Sequence, residues 1–477
     1  MLTAKYEKLG IPTVNIVSTS VESVAKKRAT SATEAMPALR MISIPNVSQE
    51  AKNALALATV PKIVEALTKP LTEQEKYKGK FELPKEPRIA FTGTLDEVQD
   101  FFIGDLSKYV TTAPHAEYTD GLPVMPPTQD RVAKMLKGTK HKADEVIGQL
   151  APLNGIATVE KVAINAVMAG ARPEYMPVLL ALTEAMTKDG GAQNSAQGGS
   201  GIFSYSIVIN GPVAKELGIN SGGPQLSGPA PLSPGVPANM VIGRFMRLMQ
   251  VNVAGIEPGV TEAKGIGSPR KTSLVIAEAN DESPWPQLSS DPGIGFKDKE
   301  NTLTLVSGWS DSLTGFGPTL KDFGTTKAQI SNPDVLARYL TCVADSAPAL
   351  ARPAMGLLYF MSPALAREIA KAGYTKRDVQ KWIYENTVAP WGKVKRQPWI
   401  TFTMFEPAES LSVQGKPMPL YVRANYAPNM PDDTPVKYFA APEAITVVVG
   451  PGTPLPQVWS MIMNAHPRWT TAIDKWR

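Results

Sequence analysis

The sequence predicts an α/β protein, in which a small, truncated parallel-sheet unit at the N-terminus precedes a larger α/β body rich in proline and glycine. Short β-branched runs alternate along the chain with apolar stretches at helical spacing, which is typical of parallel strands joined by crossover helices. Of the 477 residues, 43 are proline and 37 are glycine, so many rigid turns are expected. The hydrophobic fraction of 43% is sufficient for a buried core and excludes a mainly disordered chain.

The N-terminal unit, residues 1–70, contains two predicted strands and two predicted helices. In order, these are a strand at 13–17 (TVNIV), a helix at 18–29, a strand at 39–44 (LRMISI) ended by Pro45, and a helix at 50–67. This order predicts that the two strands pair in parallel. Domains of this type usually contain more strands, so we expect a truncated unit. The charged, proline-containing stretch 71–90 is interpreted as a linker.

The body, residues 91–477, continues the alternation, and in one interpretation it divides into two subdomains near 300–330. Helices are predicted at 96–110, 129–137, 159–186 with an interruption at 170–173, 213–217, 238–251, 333–349 and 363–387, and strands at 206–210, 273–277, 302–306 and 445–449. The glycine-rich stretch 189–201 is expected to be a flexible loop. No internal repeat is evident in the sequence.

Charge and composition argue against several classes of function. The 49 basic and 44 acidic residues give a net charge of +5 without a long basic run, so nucleic-acid binding is not expected. The single cysteine, Cys342, excludes an internal disulfide or a CxxC zinc motif within this chain, and it is interpreted as a small buried hydrophobe. His115, His141 and His466 are too scattered to predict a metal site. Without a long apolar run or a secretory signal, we expect no membrane association and a cytoplasmic location.

Familiar catalytic motifs are missing from the sequence. It contains no GxxxxGKS-type phosphate loop, no GxSxG nucleophile elbow and no HExxH helix. The triplet Gly450-Pro451-Gly452 follows a predicted strand, but Pro451 has no N–H to donate to a phosphate, so a strand-end turn is the better interpretation. Candidate site residues therefore come from three clusters of polar residues in loops and at helix ends.

The first two clusters combine a carboxylate, an amine and a guanidinium. In the loop 119–123 (TDGLP), Asp120 is a candidate catalytic carboxylate and Thr119 a candidate substrate ligand, although Asp-Gly is also common turn chemistry. Lys161, a candidate catalytic amine, shares a predicted helix face with Asn165. Arg172 stands beside a predicted helix start with Tyr175, where a guanidinium could bind an anion. Ordinary helix capping is the alternative.

The third cluster is rich in asparagine. Asn210 ends a predicted strand, Asn220 lies in a glycine-rich loop, and Asn239 and Arg244 lie on the helix that follows. Such residues suit a cradle for a polar substrate, and they suit tight left-handed turns equally well. Glu278, after the strand at 273–277, is a candidate catalytic acid or base.

The stretch 8–14 (KLGIPTV), with Ile44 and Pro45, resembles the latter part of a bacterial domain named for its UGSC motif, where U is selenocysteine or cysteine. That domain is similar to the selenoprotein B component of glycine reductase. In these relatives the reactive motif precedes the matched stretch, and this sequence starts too late to contain it. Asn46 also stands where the relatives have histidine after the proline.

The body resembles a bacterial family that occurs with, or fused to, UGSC domains. The matching pieces are 119–124 (TDGLPV), 157–163 (ATVEKVA), 172–175 (RPEY), 210–212 (NGP), 216–220 (ELGIN), 238–239 (AN), 242–244 (IGR) and 283–285 (SPW). The two resemblances together span roughly residues 8–47 and 95–290. Ala171 and Val275 replace cysteines that are frequent in the relatives, and 268–271 (SPRK) replaces a His-Pro-Gly-Lys turn.

The resemblance implies a subunit of a composite thiol- or selenol-dependent enzyme. A partner chain would supply the nucleophilic Cys or Sec, and this chain would hold a small polar or anionic substrate whose carbon–heteroatom bond is cleaved by reduction or elimination. The lost cysteines and histidine motivate a second hypothesis, a non-catalytic paralogous subunit for assembly or regulation. A third is a stand-alone hydrolase or lyase that uses Asp120, Lys161 and Glu278. The sequence points to no particular cofactor.

Overall fold

The computed structural model describes most of the body and parts of the N-terminal unit. The described residues are 6–7, 9–19, 22, 40–45, 51–72, 89, 91–103, 118–188, 204–221, 238–256, 274–316, 333–350, 356–396, 412–413, 416–417, 431–439, 441–450 and 459–477. The predicted helix at 18–29 and the linker at 71–90 fall mostly outside this set. The loop at 189–201, His115, Pro451 and Gly452 fall wholly outside it.

The structure is mixed α/β, as predicted. The helices are α1 (Lys52–Thr68), α2 (Leu95–Ile103), α3 (Gln129–Leu136), α4 (Val159–Met168), α5 (Met176–Lys188), α6 (Val213–Glu216), α7 (Ala238–Asn252), α8 (Val335–Leu350), α9 (Pro363–Lys371), α10 (Lys376–Asn386) and α11 (Trp391–Val394). The strands are β1 (Asn15–Ser18), β2 (Met41–Ile44), β3 (Val146–Leu150), β4 (Gly155–Thr158), β5 (Ser204–Asn210), β6 (Val275–Ala277), β7 (Thr302–Phe316), β8 (Gly356–Met361), β9 (Val388–Pro390), β10 (Ser412–Val413), β11 (Lys416–Pro417), β12 (Pro435–Lys437), β13 (Ile445–Val449) and β14 (Trp459–Ala472).

The N-terminal unit consists of β1, β2 and α1 in the described residues. The two strands pair in parallel, with Asn15 opposite Met41, which confirms the pairing predicted from the order of elements. Leu57, Val60 and Val64 on α1 expose 75%, 51% and 53% of their surface. No described residue of this unit belongs to the three hydrophobic clusters of the body. The body therefore has its own core.

Two helices before the central sheet, α3 and α4, start at hydroxyl caps. The side chain of Thr128 accepts a hydrogen bond from the N–H of Arg131 at the start of α3, and Thr158 does the same for Lys161 at the start of α4. The predicted interruption of the helix at 159–186 is confirmed, because α4 and α5 are separate and a 3₁₀ turn, Pro173–Tyr175, joins them. The β3–β4 hairpin before α4 was not predicted, since its two strands are short and only partly buried.

The body repeats one unit of connectivity. In the first half, α5 leads to β5, then α6, α7, β6 and β7. In the second half, α8 leads to β8, then α9, α10, β13 and β14, with β9, α11, β10, β11 and β12 inserted between α10 and β13. In both halves the first two strands pair in parallel and the third pairs antiparallel with the first. β7 pairs antiparallel with β14 and joins the halves. This repeat is not evident in the sequence, because strand pairing depends on the apolar pattern of the strands and on their direction. Equivalent strands therefore need not share the same residues.

Alternate residues of the strands face different layers. On β5, Ile207 and Ile209 pack with the helices of the first half, whereas Val208 belongs to a cluster that includes Phe360 of β8 and Val448 of β13. The other face of β8 and β13 packs against α8, α9 and α10. The two half-sheets therefore face each other, and helices cover their outer faces. Each fully buried side chain of this kind contributes roughly 1.5–3 kcal/mol relative to an exposed one.

The predicted helix at 363–387 is two helices, which corrects the sequence interpretation. Gly373 adopts a φ of +94°, which ends α9 in a left-handed turn. Thr375 then starts α10 with a capping box, in which its hydroxyl accepts from the N–H of Asp378 and the Asp378 carboxylate accepts from the N–H of Thr375. The strands β8 and β14 were also missed. β8 is a run of six buried residues, and such a run does not distinguish a buried strand from a helix.

The last described turn, Asp474–Trp476, is docked onto the first half of the body through His141. One ring nitrogen of His141, Nδ1, lies 2.9 Å from the Glu145 carboxylate, and the other, Nε2, lies 2.8 Å from the carbonyl of Lys475. The hydroxyl of Thr139 donates to the carbonyl of Trp476 at 2.7 Å. Because both ring nitrogens face acceptors, the doubly protonated imidazolium satisfies both contacts.

This docking is expected to weaken with rising pH. The Lys475 carbonyl, helped by Glu145, raises the pKa of His141 above its ordinary 6.5, although burial and the charge of Lys475 oppose the shift. A raised pKa in the folded state stabilises the protein fully below 6.5, and the contribution disappears as pH rises through the folded value. The free energy of unfolding of His141→Gln should therefore approach that of the wild type as the pH rises from below 6.5 through the folded value of the pKa. A pH-independent difference would contradict the assignment.

Among the described helices, none is both long enough and apolar enough to cross a membrane.

Candidate functional site

The loop at 119–123 is closed around the guanidinium of Arg244, which projects from α7. Nε of Arg244 donates to Oδ2 of Asp120 at 2.9 Å, and Nη2 donates to Oδ1 at 3.0 Å. Nη2 also lies 3.2 Å from the carbonyl of Leu122 and 2.7 Å from that of Pro123. Two residues that the sequence singled out separately are therefore joined in a two-edged ion pair.

The loop is rigid because its own side chains satisfy its backbone. The hydroxyl of Thr119 donates to the carbonyl of Leu122 at 2.8 Å and accepts from the N–H of Gly121 at 3.3 Å. Oδ1 of Asp120 accepts from the N–H of Leu122 at 3.2 Å. Thr119 is buried, so its role in this structure is to shape the turn that places Asp120.

The Asp120 side chain is only 3% exposed, whereas that of Arg244 is 21% exposed. Burial alone would raise the pKa of Asp120, but the hydrogen bond and charge of Arg244, with the Leu122 N–H, hold it below its ordinary value. Burial lowers the pKa of the Arg247 guanidinium, one turn further along α7, and the charge of Asp120 opposes that shift. Asp120 is therefore a carboxylate that stays ionised and paired, which is unsuited to accepting a proton.

A cleft of about 500 Å³ opens beside this ion pair. Its lining residues are Gln99, Pro123, Val124, Met125, Met168, Ala169, Gly170 and Arg244. The N–H of Met125 donates to the carbonyl of Met168 and joins the loop to the end of α4. Gly170 turns the chain after α4 with a φ of +78°, a conformation that glycine adopts without strain. The described walls are mainly apolar, and Arg244 is the charged residue among the described residues that line the cleft.

Asn165 connects three elements behind the loop. Its Nδ2 donates to the carbonyl of Lys161 at 2.9 Å, and its Oδ1 accepts from Nδ2 of Asn252 at 2.7 Å. Asn252, at the end of α7, also donates to the carbonyl of Tyr118 at 3.1 Å. Sequence analysis overlooked Asn252, because a single asparagine at a helix end carries no signal of its own. Lys161 contributes its backbone to this network, and its amino group does not line the cleft.

Arg172 and Tyr175 form a separate pair at the start of the 3₁₀ turn. The Arg172 guanidinium lies 4.9 Å from the centroid of the Tyr175 ring and donates to the carbonyl of Leu217 at 3.3 Å. Arg172 is exposed and Tyr175 is fully buried. Neither residue is among those that line the cleft.

The side chain of Asn239 joins the loop that contains Asn220 to strand β6 of the sheet. Oδ1 of Asn239 accepts from the N–H of Asn220 at 2.9 Å, while its Nδ2 donates to the carbonyls of Asn220 and Val275. The side chain of Asn239 is almost fully buried, and these contacts use both ends of its amide. In this structure Asn239 fastens the chain after α6 to β6.

Glu278 and Asn210 lie where the two halves of the body meet. The N–H of Glu278 donates to the carbonyl of Ile209 in the first half, and the N–H of Gly450 donates to the carbonyl of Met361 in the second. Glu278 and Gly450 therefore occupy equivalent positions in the repeated unit. The carboxylate of Glu278 crosses between the halves, since it accepts from Nδ2 of Asn210 and the N–H of Leu288 on one oxygen and from the N–H of Val449 on the other.

Complete burial raises the pKa of the Glu278 carboxyl, although the charge of Lys376 and the two backbone donors partly oppose the shift. Lys376 is itself buried and paired with Asp291 at 2.8 Å. Arg468 is buried nearby, where its guanidinium donates to Thr446 and to the carbonyl of Glu443. Apart from Glu278, these charges were missed by sequence analysis, because they come from three distant parts of the chain, at 278–291, 376 and 468.

The predicted site residues thus fall into separate groups. Thr119, Asp120 and Arg244 are brought together, and Asn165 is connected to them through Asn252 and Tyr118. Asn210 and Glu278 form the second group. Within the described part of the chain, Asp120 and Glu278 have no hydrogen-bond partner in common.

Comparison of the chain with protein-family models, curated proteins and solved structures found no match.

Proposed function

We propose that this chain is the substrate-holding subunit of a composite thiol- or selenol-dependent enzyme of the cytoplasm. In this proposal a partner chain supplies the nucleophilic Cys or Sec. Its thiolate or selenolate attacks carbon, and the carbon–heteroatom bond breaks with its electron pair passing to the leaving group. The present chain binds a small polar or anionic substrate and orients it for that attack.

The observation that supports this proposal is the composition of the cleft beside Arg244. Its described walls contain a guanidinium held in place by a carboxylate and two carbonyls, which is a group for binding and orienting. Among the residues that the structure describes, those that line it include no Cys, Ser, Thr, Lys or His. This composition suits the binding of a substrate, and in this proposal the partner chain supplies the nucleophile.

The carboxylates of Asp120 and Glu278 are already hydrogen-bonded within the fold, which favours a second candidate function, a non-catalytic subunit. Asp120 is paired with Arg244, and Glu278 is buried among donors that belong to the fold. The same facts weigh against a stand-alone hydrolase or lyase based on Asp120, Lys161 and Glu278, because these side chains do not converge on the cleft.

Native mass spectrometry of the tagged protein, isolated from its own organism, tests the proposal. We expect a stoichiometric companion chain that carries a Cys- or Sec-Gly-Ser-Cys motif. A homo-oligomer without such a companion would overturn the composite enzyme. If the companion is found, depletion of metabolites from a small-molecule extract is compared for the complex and for the companion alone. Equal depletion by the companion alone would favour the non-catalytic role.

A further inference from the structure

Several hydrogen-bond donors of the described cleft residues are used within the fold. On Arg244, Nε and Nη2 donate to Asp120, Leu122 and Pro123. Nη1, at the remaining corner of the guanidinium, has no hydrogen bond to any residue that the structure describes. The Nη1 group therefore offers two N–H donors. Because the guanidinium is planar, the hydrogen bonds made by Nε and Nη2 on its opposite edge also fix the orientation of Nη1.

Three backbone N–H groups of the described lining residues are already engaged and are not available to an anion. The N–H of Met125 donates to Met168, that of Ala169 donates to Asn165, and that of Gly170 donates to Val167. In the described part of the lining, Arg244 is the charged side chain and Gln99 is the other side chain with polar nitrogen and oxygen atoms. A phosphate group, which presents several charged oxygens, would leave most of them without a donor here. A carboxylate, which has two oxygens and a single negative charge, matches the two N–H donors of Nη1 better.

The remaining walls suit an apolar body. Val124 and Met168 are 3% and 2% exposed and form a packed wall, whereas Met125 is 48% exposed at the edge of the cleft. A volume of about 500 Å³ is within the range of roughly 300–1,000 Å³ usual for small-ligand pockets. Apolar walls stabilise a ligand whose hydrocarbon part leaves water.

We propose that the cleft binds a small monocarboxylate with an apolar substituent. The carboxylate accepts from Nη1 of Arg244, and the substituent packs against Val124, Met125 and Met168. The charge of Asp120 lies on the opposite edge of the guanidinium, so the ligand oxygen is closer to the positive group than to the negative one. This inference rests on the proposed function and narrows its substrate class; phosphate esters and nucleotides are excluded from it.

Binding of simple probes to the whole chain tests the ligand class. Isovalerate and benzoate are compared with isovaleramide and benzamide by saturation-transfer NMR and titration calorimetry, with inorganic phosphate as a competitor. The two carboxylates should bind about tenfold more tightly than their amides, because a hydrogen bond to a charged acceptor is stronger. Phosphate should not displace them. Equal binding of amide and carboxylate, or displacement by phosphate, would overturn the proposal.

Charge substitutions at Met125 locate the binding without disturbing the Asp120–Arg244 pair. Met125→Glu and Met125→Gln are nearly the same size, and the exposed position should tolerate both. The glutamate should weaken isovalerate binding about fivefold relative to the glutamine, and Met125→Lys should strengthen it, as expected for charges several ångströms apart near a surface. Equal affinities of the three variants would place any carboxylate binding outside this cleft and overturn the proposal.

These outcomes are independent of the test of the composite enzyme. If the thiol-bearing companion is found but carboxylate binding does not depend on residue 125, the proposed ligand class is wrong and the composite enzyme is still supported. If carboxylates bind as expected but no companion chain is found, the carboxylate site is supported and the composite enzyme is rejected.

Discussion

Replacement of Arg244 by methionine is expected to lower the free energy of unfolding by about 3 kcal/mol at pH 7. The variant keeps much of the side-chain volume but leaves the Asp120 carboxylate, 3% exposed, without its partner. It also removes the donor that holds the carbonyls of Leu122 and Pro123. Chemical denaturation of the purified variant and the wild type measures the difference.

The double variant Asp120→Asn/Arg244→Met is the matched control, since it removes the buried charge together with its partner. It should recover at least half of the loss, because the larger part of the penalty comes from an unpaired carboxylate. The pKa of Asp120 is lowered in the wild type, so the stabilisation is present above its ordinary value of 3.8 and is lost as pH falls through the folded value. A penalty for Arg244→Met that is unchanged in the double variant and independent of pH would contradict this account.

Replacement of Glu278 by alanine is expected to have an effect of similar size, about 3 kcal/mol. Three donors, Nδ2 of Asn210 and the N–H groups of Leu288 and Val449, lose a buried acceptor, and each such loss costs about 1–3 kcal/mol before water re-enters. Glu278→Gln should cost about 1 kcal/mol, because one amide oxygen still accepts from two of these donors. Equal stability of the alanine and glutamine variants would show that the carboxyl does not hold the halves together.

The pH dependence of the Glu278 effect has the opposite sign to that of Asp120. Burial raises the pKa of Glu278 in the folded state above its ordinary 4.5. The stabilising contribution is therefore complete below 4.5 and is lost as pH rises through the folded value. As the pH rises from 4.5 through the folded pKa, the free energy of unfolding of the wild type should fall relative to that of Glu278→Gln. Comparison with the glutamine variant removes the titration of other groups, which both proteins share.

Local elements were largely predictable from the sequence because their signals are local. The strands at 206–210 and 445–449 and the paired helices within 159–186 follow from periodicity, and they are confirmed as β5, β13, α4 and α5. The division between α9 and α10 was signalled by Gly373 and by the Thr375–Asp378 capping box. The mistake there came from giving helical periodicity more weight than end signals. The domain limits and the proposed roles of the site residues stay predictions.

The arrangement of the site was not predictable in the same way. Arg244 was expected in an asparagine-lined cradle, whereas it is paired with Asp120, 124 residues earlier in the chain. Glu278 was expected to be a catalytic acid or base, and it accepts a hydrogen bond from Val449, 171 residues later. Neither contact leaves a trace in local spacing, because both depend on how helices and half-sheets pack.

Periodicity and turn chemistry were enough to assign the α/β class and the position of most helices, since these depend on residues close in sequence. The parallel pairing of β1 with β2 followed from the order of strands and helices. The repeated unit, the facing half-sheets and the pairing of Asp120 with Arg244 appeared only in the tertiary structure. They arise because burial of apolar faces brings distant segments together, and a buried carboxylate then keeps whichever donors that packing places beside it.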